Sequence, residues 1–277
     1  MYVPPPEGGG ICLLPEWQQA ITKMTKLELI ALEGVPLIKA GDDLAAIALD
    51  AIGHMRLTLE DGDVLVFAQK IVSKSEGRMV RLGGVSPSPR AVELARIADK
   101  DPRLIEIILG ESREVLRVRA GVIVVEDIRG LVLANAGVDA SNVHADGGDP
   151  SVLLLPRNPD DSAGRLREAL RARSHCDIGI VINDSIGRAW RNGTIGTAIG
   201  VSGLPGLLDL RGTPDLYGRP LRTTDLGMAD EVASAASLIM GQANEGRPIV
   251  LARGVPYGRR DGSARELVRD KSLDFFR

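Results

Sequence analysis

The chain has 277 residues, 44% hydrophobic and 26% charged, with a formal net charge of -3. That length buries a sizeable core without disulfide or metal staples, as one large unit or two domains. The charge excludes the positive field of a nucleic-acid binder, and 3% aromatic residues exclude the stacking platforms of single-strand binders. No apolar run approaches the ~18 residues of a membrane span. Two distant cysteines, Cys12 and Cys176, fit free thiols in a reducing cytoplasm better than a disulfide or a zinc site.

In chain order, residues 1–26 are rich in Pro and Gly and read as a flexible extension, with Met24 just before the first credible strand. "LELIALEG" (27–34) alternates like a strand. A turn through Pro36 and Gly41 leads to a helix over 42–57, capped by Asp42. Gly62 and Asp63 turn into Val64–Phe67, an apolar run typical of a strand buried on both faces. Residues 83–90 read as a loop, and two short helices follow over 90–99 and 102–110. Residues 122–134 read as a hairpin turning at Arg129 and Gly130. A helix over 161–173 and a strand over 177–183 come next. The clearest helix lies within 222–241, capped by Thr224 or Asp225 and stopped by Gly241. Residues 247–254 form the last strand. Strands and helices mix without strict alternation, which favours an α+β fold of mixed sheets with flanking helices.

Several chemistries are missing. There is no P-loop and no dinucleotide-binding glycine fingerprint. His54, His144 and His175 sit in no nucleophile constellation. What remains is three polar segments that read as loops at strand ends. "AGVDASN" carries Asp139, Ser141 and Asn142. "NDSIGRAWRNG" carries Asn183, Asp184, Ser185, Arg188 and Arg191. "AQKIVSK" carries Gln69, Lys70, Ser73 and Lys74. Asp139 and Asp184 suit a hard cation such as Mg2+ or Mn2+, and the basic side chains suit phosphate. Each segment alone also reads as a solvated loop with an Asx turn. If the two aspartate segments converge, carboxylates about 4 Å apart repel by roughly 4 kcal/mol at an effective dielectric of 20. That demands a cation or a proton between them.

Together "GDVLVFAQKIVSKSEGR", "ANAGVDASNV", "NDSIGRAWRNG", "TAIGVSG" and "GRPLRTTDLGMADEVASAASLIMGQ" resemble, in order, the coenzyme F420-0:gamma-glutamyl ligases. The resemblance spans about residues 27–254. It implies an α+β unit over 27–277 of two intertwined subdomains, paired in an intertwined homodimer. It implies attachment of L-glutamate to coenzyme F420-0 with GTP and two Mg2+ or Mn2+ ions; K+ is a further candidate. Carried over by position, Asp139 and Asp184 hold one metal ion, and Ser185 and Gln242 serve a second. Gln69, Lys74 and Asn142 contact GTP, and Val35, Pro36, Leu37 and Ile38 lie against the nucleotide. Lys74 and Asp184 are the candidate catalytic residues, joined by Arg188 and Arg191, which charge alone marks as anchors for substrate anions. Trp190 would cover a ring or pack at a loop base. Two positions depart from the family: Gly196 and Arg157 stand where many members are acidic, which bears on the substrate's phospho-acid arm. The competing functions are a metal-dependent phosphotransferase or nucleotide hydrolase on the same scaffold, and a nucleotide-binding module without turnover.

Overall fold

A computed structural model describes residues 26–141 and 150–274. The expected extension, apart from Lys26, and the candidates Cys12, Asn142 and His144 lie outside the described residues.

The chain enters as β1 (Glu28–Ala31) and passes to α1 (Leu44–His54). Asp43, not Asp42, caps α1, because its carboxylate accepts from the Ala45 and Ala46 amides while Asp42 accepts from Lys39 N–H in the preceding turn. β2 (Val64–Ala68) runs directly into α2 (Gln69–Ser75), so the expected "AQKIVSK" loop is a helix. Next come β3 (Met79–Arg81), α3 (Pro89–Ala98) and α4 (Pro102–Gly110). Both helices carry proline in the first turn and a capping side chain, Ser88 and Asp101. β4 (Ser112–Arg119), unforeseen in the sequence, pairs with β5 (Val122–Asp127), and β5 turns at Arg129-Gly130 into β6 (Val132–Ala134) as expected. β7 (Ser151–Leu153) and α5 (Pro159–Ser174) follow.

β8 (Gly179–Arg188) does not end at residue 183. It continues through the polar segment and returns as β9 (Arg191–Ser202), with Arg188 paired to Arg191. The expected loop is a long hairpin. β10 (Leu208–Asp209) and β11 (Asp225–Leu226) form a short ribbon. α6 (Met228–Met240) therefore starts later than expected: Asp225 is spent on the ribbon, and Gly227 is the N-cap without a side-chain hydrogen bond. Gly241 ends the helix with φ 75°, as expected of a stop. β12 (Ile249–Arg253) is the last strand.

The sheet order is β1-β12-β2-β8-β9, antiparallel throughout except for the parallel pair β2–β8. Alternation decides which face each side chain takes. Leu65 and Phe67 of β2, Ile180 and Ile182 of β8 and Leu251 of β12 share a core with α1 and α5. Val64, Val66, Val181 and Val250 face α6 through Ala229, Val232, Ala233 and Ala236. The central strands are apolar in succession because helices cover both faces. A third core joins β4 and β5 to α3 and α4 through Ile123, Val125, Ala91, Ala95, Ile105 and Ile108. Among the described residues no helix is long and apolar enough to cross a membrane.

A buried ion network ties β5 and its turn to the segment between β7 and α5. Arg129 donates to Asp127 and Glu111 at 2.8 Å each and to the Pro156 carbonyl at 2.9 Å. Arg78 donates to the same Glu111 at 2.8 Å and to the Leu155 carbonyl at 3.0 Å. Asp127 is fully buried, and removing one partner leaves charge stranded in low dielectric. Arg129→Met is expected to cost about 3–5 kcal/mol in urea denaturation; a loss below about 1 kcal/mol, the surface-pair range, would show that the network contributes little.

Candidate functional site

The parallel register sets Ala68 beside Asn183, so the chain leaves β2 into α2 next to the point where β8 turns polar. Gln69 and Lys70 thereby meet Asp184 and Ser185. Asp139 arrives from another direction. Asn135, Ala136 and Gly137 all have positive φ (54°, 53° and 69°), a left-handed turn that L residues adopt at a cost of roughly 1–2 kcal/mol each. Beyond that turn, Asp139 exchanges two backbone hydrogen bonds with Leu153 of β7, at 3.0 and 2.8 Å. A side chain on Gly137 would overlap Leu155.

These elements line a cleft of 630 Å3. Val35, Pro36, Leu37 and Ile38 form an apolar wall, and Gln69, Lys70, Lys74, Asp139, Asn183, Asp184, Ser185 and residues 240–248 complete it. Lys70 Nζ lies 2.8 Å from Asp139 Oδ2 and donates to Ser141 Oγ at 2.6 Å. The Ser141 amide and hydroxyl both donate to Asp139, at 2.7 and 3.0 Å. On the other side, Ser185 N–H donates to Asp184 Oδ1 at 2.8 Å, and Ser185 Oγ donates to Gln242 Oε1 at 2.6 Å. Gly241 makes the last contact possible: its positive φ turns the chain after α6, and a Cβ there would overlap Glu245.

The electrostatics separate the two carboxylates. Burial pushes Asp184 up to about 6, the Asp139 charge adds to the rise, and the Ser185 amide and Lys70 oppose it. Burial also works against ionised Asp139, but the Lys70 ammonium and Ser141 outweigh it and hold that carboxyl below its ordinary value. Lys74 is lowered by burial and then by the charge of Lys70. Two carboxylates, a hydroxyl and an amide oxygen are the hard donors that Mg2+ and Mn2+ prefer. Among the described residues no three His, Cys, Asp or Glu side chains gather into a closed cluster. An open set that leaves positions for phosphate oxygens and water fits that chemistry, so these residues fit a divalent ion.

Of the sequence candidates, Val35–Ile38, Gln69, Lys74, Asp139, Asp184, Ser185 and Gln242 share this cleft. Arg188 and Arg191 do not. They lie at the far end of the β8–β9 hairpin, where they border a second cleft of 1000 Å3 together with Arg117, Arg119, Leu131 and Leu133. Arg188 Nε is buried there and has no hydrogen-bond partner among the described residues. Trp190 is 86% exposed at the hairpin tip with φ 64°, so within this chain it is not a packing residue at a loop base. Gly196 is required by packing, since a Cβ would overlap the Ala233 carbonyl of α6. Arg157 borders neither cleft. Lys70 was grouped with the basic side chains in sequence but not with the site residues; its spacing of four from Lys74 on one helix was the available signal.

A sequence model of F420-0:gamma-glutamyl ligases matches residues 34–254. The coenzyme F420:L-glutamate ligase of Methanothermobacter thermautotrophicus is 46% identical over 91% of this chain and 99% of its own length. That of Methanocaldococcus jannaschii is 40% identical over 93% of this chain and 99% of its own length. The chain belongs to the F420-0:gamma-glutamyl ligase family. It is by that kinship a ligase, and the cleft holding Asp139 and Asp184 is its candidate active site.

The raised Asp184 has a consequence for stability. A carboxyl favoured as the neutral acid in the folded state contributes most below its unfolded value near 3.8. That contribution is lost as pH climbs through about 6. The metal-free protein is therefore expected to lose at most about 3 kcal/mol over that window. Asp184→Asn should melt above the parent at pH 7.5 without metal, with the gap closing toward pH 4. A variant that melts lower at both pH values would refute the strain.

Proposed function

We propose that this protein is a GTP-dependent ligase that joins L-glutamate to coenzyme F420-0, in coenzyme F420 biosynthesis. The observation that carries the reading is the convergence of Asp139, Asp184, Ser185, Gln242, Lys70 and Lys74 on one cleft beside the apolar wall Val35–Ile38. Family kinship supports the two substrates.

The acceptor carboxylate of F420-0 is a poor electrophile. It attacks the γ-phosphorus of GTP, GDP leaves, and an acyl phosphate forms. The α-amine of glutamate then attacks the acyl carbon, phosphate departs, and the amine loses a proton to give the amide. Such transfer is mostly positioning and charge neutralisation. Val35–Ile38, Gln69 and Asn142 seat the nucleotide. Lys74 offsets charge on the phosphoryl oxygens. Asp139 and Asp184 hold one divalent ion, and Ser185 with Gln242 a second. Bound Mg2+ or Mn2+ supplies the Lewis acidity that neutralises the transferring group. No enzyme nucleophile is needed, in keeping with the absence of a nucleophile motif.

Arg188 and Arg191 anchor anionic groups of the longer substrate. Arg188 is four residue steps along β8 from Asp184, roughly 13 Å at strand rise, a span that an extended phosphodiester substrate covers. The protein acts as an intertwined homodimer of two-subdomain protomers. Exposed Trp190, Leu216 and Tyr217, at 86%, 100% and 82%, are apolar surface suited to a second copy.

The test is mass spectrometry of F420-0, carrying either a phospholactate or a phosphoglycerate arm, incubated with glutamate, GTP and Mn2+. Each component is omitted in turn. Glutamyl additions that require GTP and metal are expected, and Asp139→Asn should lower turnover at least ~100-fold, on the scale of a lost electrostatic stabiliser. Phosphate release from GTP that needs neither glutamate nor F420-0 would favour the second reading, a phosphotransferase or hydrolase on the same cleft.

A further inference from the structure

We infer that Lys70 is a resident cation for the Asp139–Asp184 pair, holding the place of the divalent ion until a polyphosphate draws the ammonium away. The inference rests on the metal-binding reading of these two carboxylates. Lys70 Nζ is 2.8 Å from Asp139 Oδ2 and 2.6 Å from Ser141 Oγ. The Ser141 hydroxyl and amide grip the same carboxylate, so Asp139 has both oxygens engaged. Asp184 lines the same cleft as Asp139 and Lys70. The like-charge repulsion of the pair is thus relieved by a side chain of the protein itself.

A lysine in this position has two effects. It keeps the cleft assembled without metal, since an unrelieved carboxylate pair would repel. It also competes with a bare divalent ion for Asp139. A lysine held on Asp139 Oδ2 occupies one of the lone pairs a metal would use and repels a second cation at the same carboxylate. A nucleoside triphosphate removes the conflict by offering Lys70 phosphate oxygens in exchange. Lys70 stands in the first turn of α2, with a side chain 30% exposed and so able to swing. Metal and triphosphate therefore load together more readily than metal alone, and Lys70 is the positioning residue that couples them.

The test reads Mn2+ binding to the full chain by the loss of the free-ion paramagnetic resonance signal, without nucleotide. Lys70→Met is expected to bind Mn2+ roughly tenfold tighter than the parent, the scale of one close charge interaction at a wet site. Lys70→Arg, which keeps the charge, should stay near the parent. Lys74→Met removes a like charge one turn along the same helix and should change affinity less than threefold. With a nonhydrolysable GTP analogue present, the gap between parent and Lys70→Met should narrow. Equal Mn2+ affinity for parent and Lys70→Met overturns the inference, as does an equal gain for Lys74→Met, which would mark a general field rather than a contact. A gap unchanged by the analogue overturns the exchange. Asp139→Asn and Asp184→Asn keep this separate from the metal reading: if neither weakens Mn2+ binding, the ion does not bind here and the metal reading itself fails.

Discussion

The site depends on one strand pairing. In a sheet otherwise antiparallel, β2 and β8 run side by side in the same direction. Parallel neighbours end at the same edge, so the residues that follow them are delivered to one place. Here that brings Gln69 and Lys70 to Asp184 and Ser185. An antiparallel pairing of the same strands would send the two exits to opposite ends of the sheet. The apolar interior of both strands, covered by α1 and α5 on one face and α6 on the other, locks the register: a slip of one residue would turn Leu65 and Phe67 toward α6 and expose the error in both cores.

Around that edge the protein assembles groups that disfavour one another. Asp139 and Asp184 repel, Asp184 is pushed up to about 6 by burial and by its neighbour, and Lys74 is lowered by burial and Lys70. The backbone before Asp139 runs through three positive-φ residues, two of them not glycine. Strain of this kind persists where the surrounding structure over-determines it. The surroundings do so: Gly137 packs against Leu155 with no room for a Cβ, and the Leu155 carbonyl accepts from Arg78 and Arg129. The ion network of the third core and the Asp139 turn are thus joined through one residue.

Much of the frame was legible because its signals were redundant. Val64–Phe67 read as a doubly buried strand from four consecutive apolar residues, and Gly241 as a stop from its place after a periodic helix. The failures have local causes. α2 has two turns, and Ile71 and Val72 prolong the apolar run of β2, so no period could separate helix from strand. Ser112–Arg119 carries charges on its exposed side and two register shifts, which blurs alternation. Asp42 and Asp43 are equally good caps in sequence, and only the turn geometry chooses between them. The individual site residues were recognisable through motif resemblance, but their meeting needed the β2–β8 register and the Asp139–Leu153 bridge, which link segments more than a hundred residues and fourteen residues apart.

The misgrouped arginines show how much that geometry matters. "NDSIGRAWRNG" reads as one polar unit, and in a loop its charges would gather around a single point. As a strand it extends by about 3.3 Å per residue, so each residue after Asp184 carries the chain further from the carboxylates. Arg188 and Arg191 are consequently held opposite each other across a two-residue turn, bordering a separate cleft. Gly196 and Gly200 allow the return strand to follow, since a Cβ on either would overlap Ala233 of α6 or Pro159 of α5. Gly196 and Gly200 are therefore spent on packing the return strand between two helices. What leaves the sheet edge at Asp184 is a long hairpin, with a carboxylate and a hydroxyl at its base and cationic side chains at its tip, and a substrate that uses both must be long enough to lie along it.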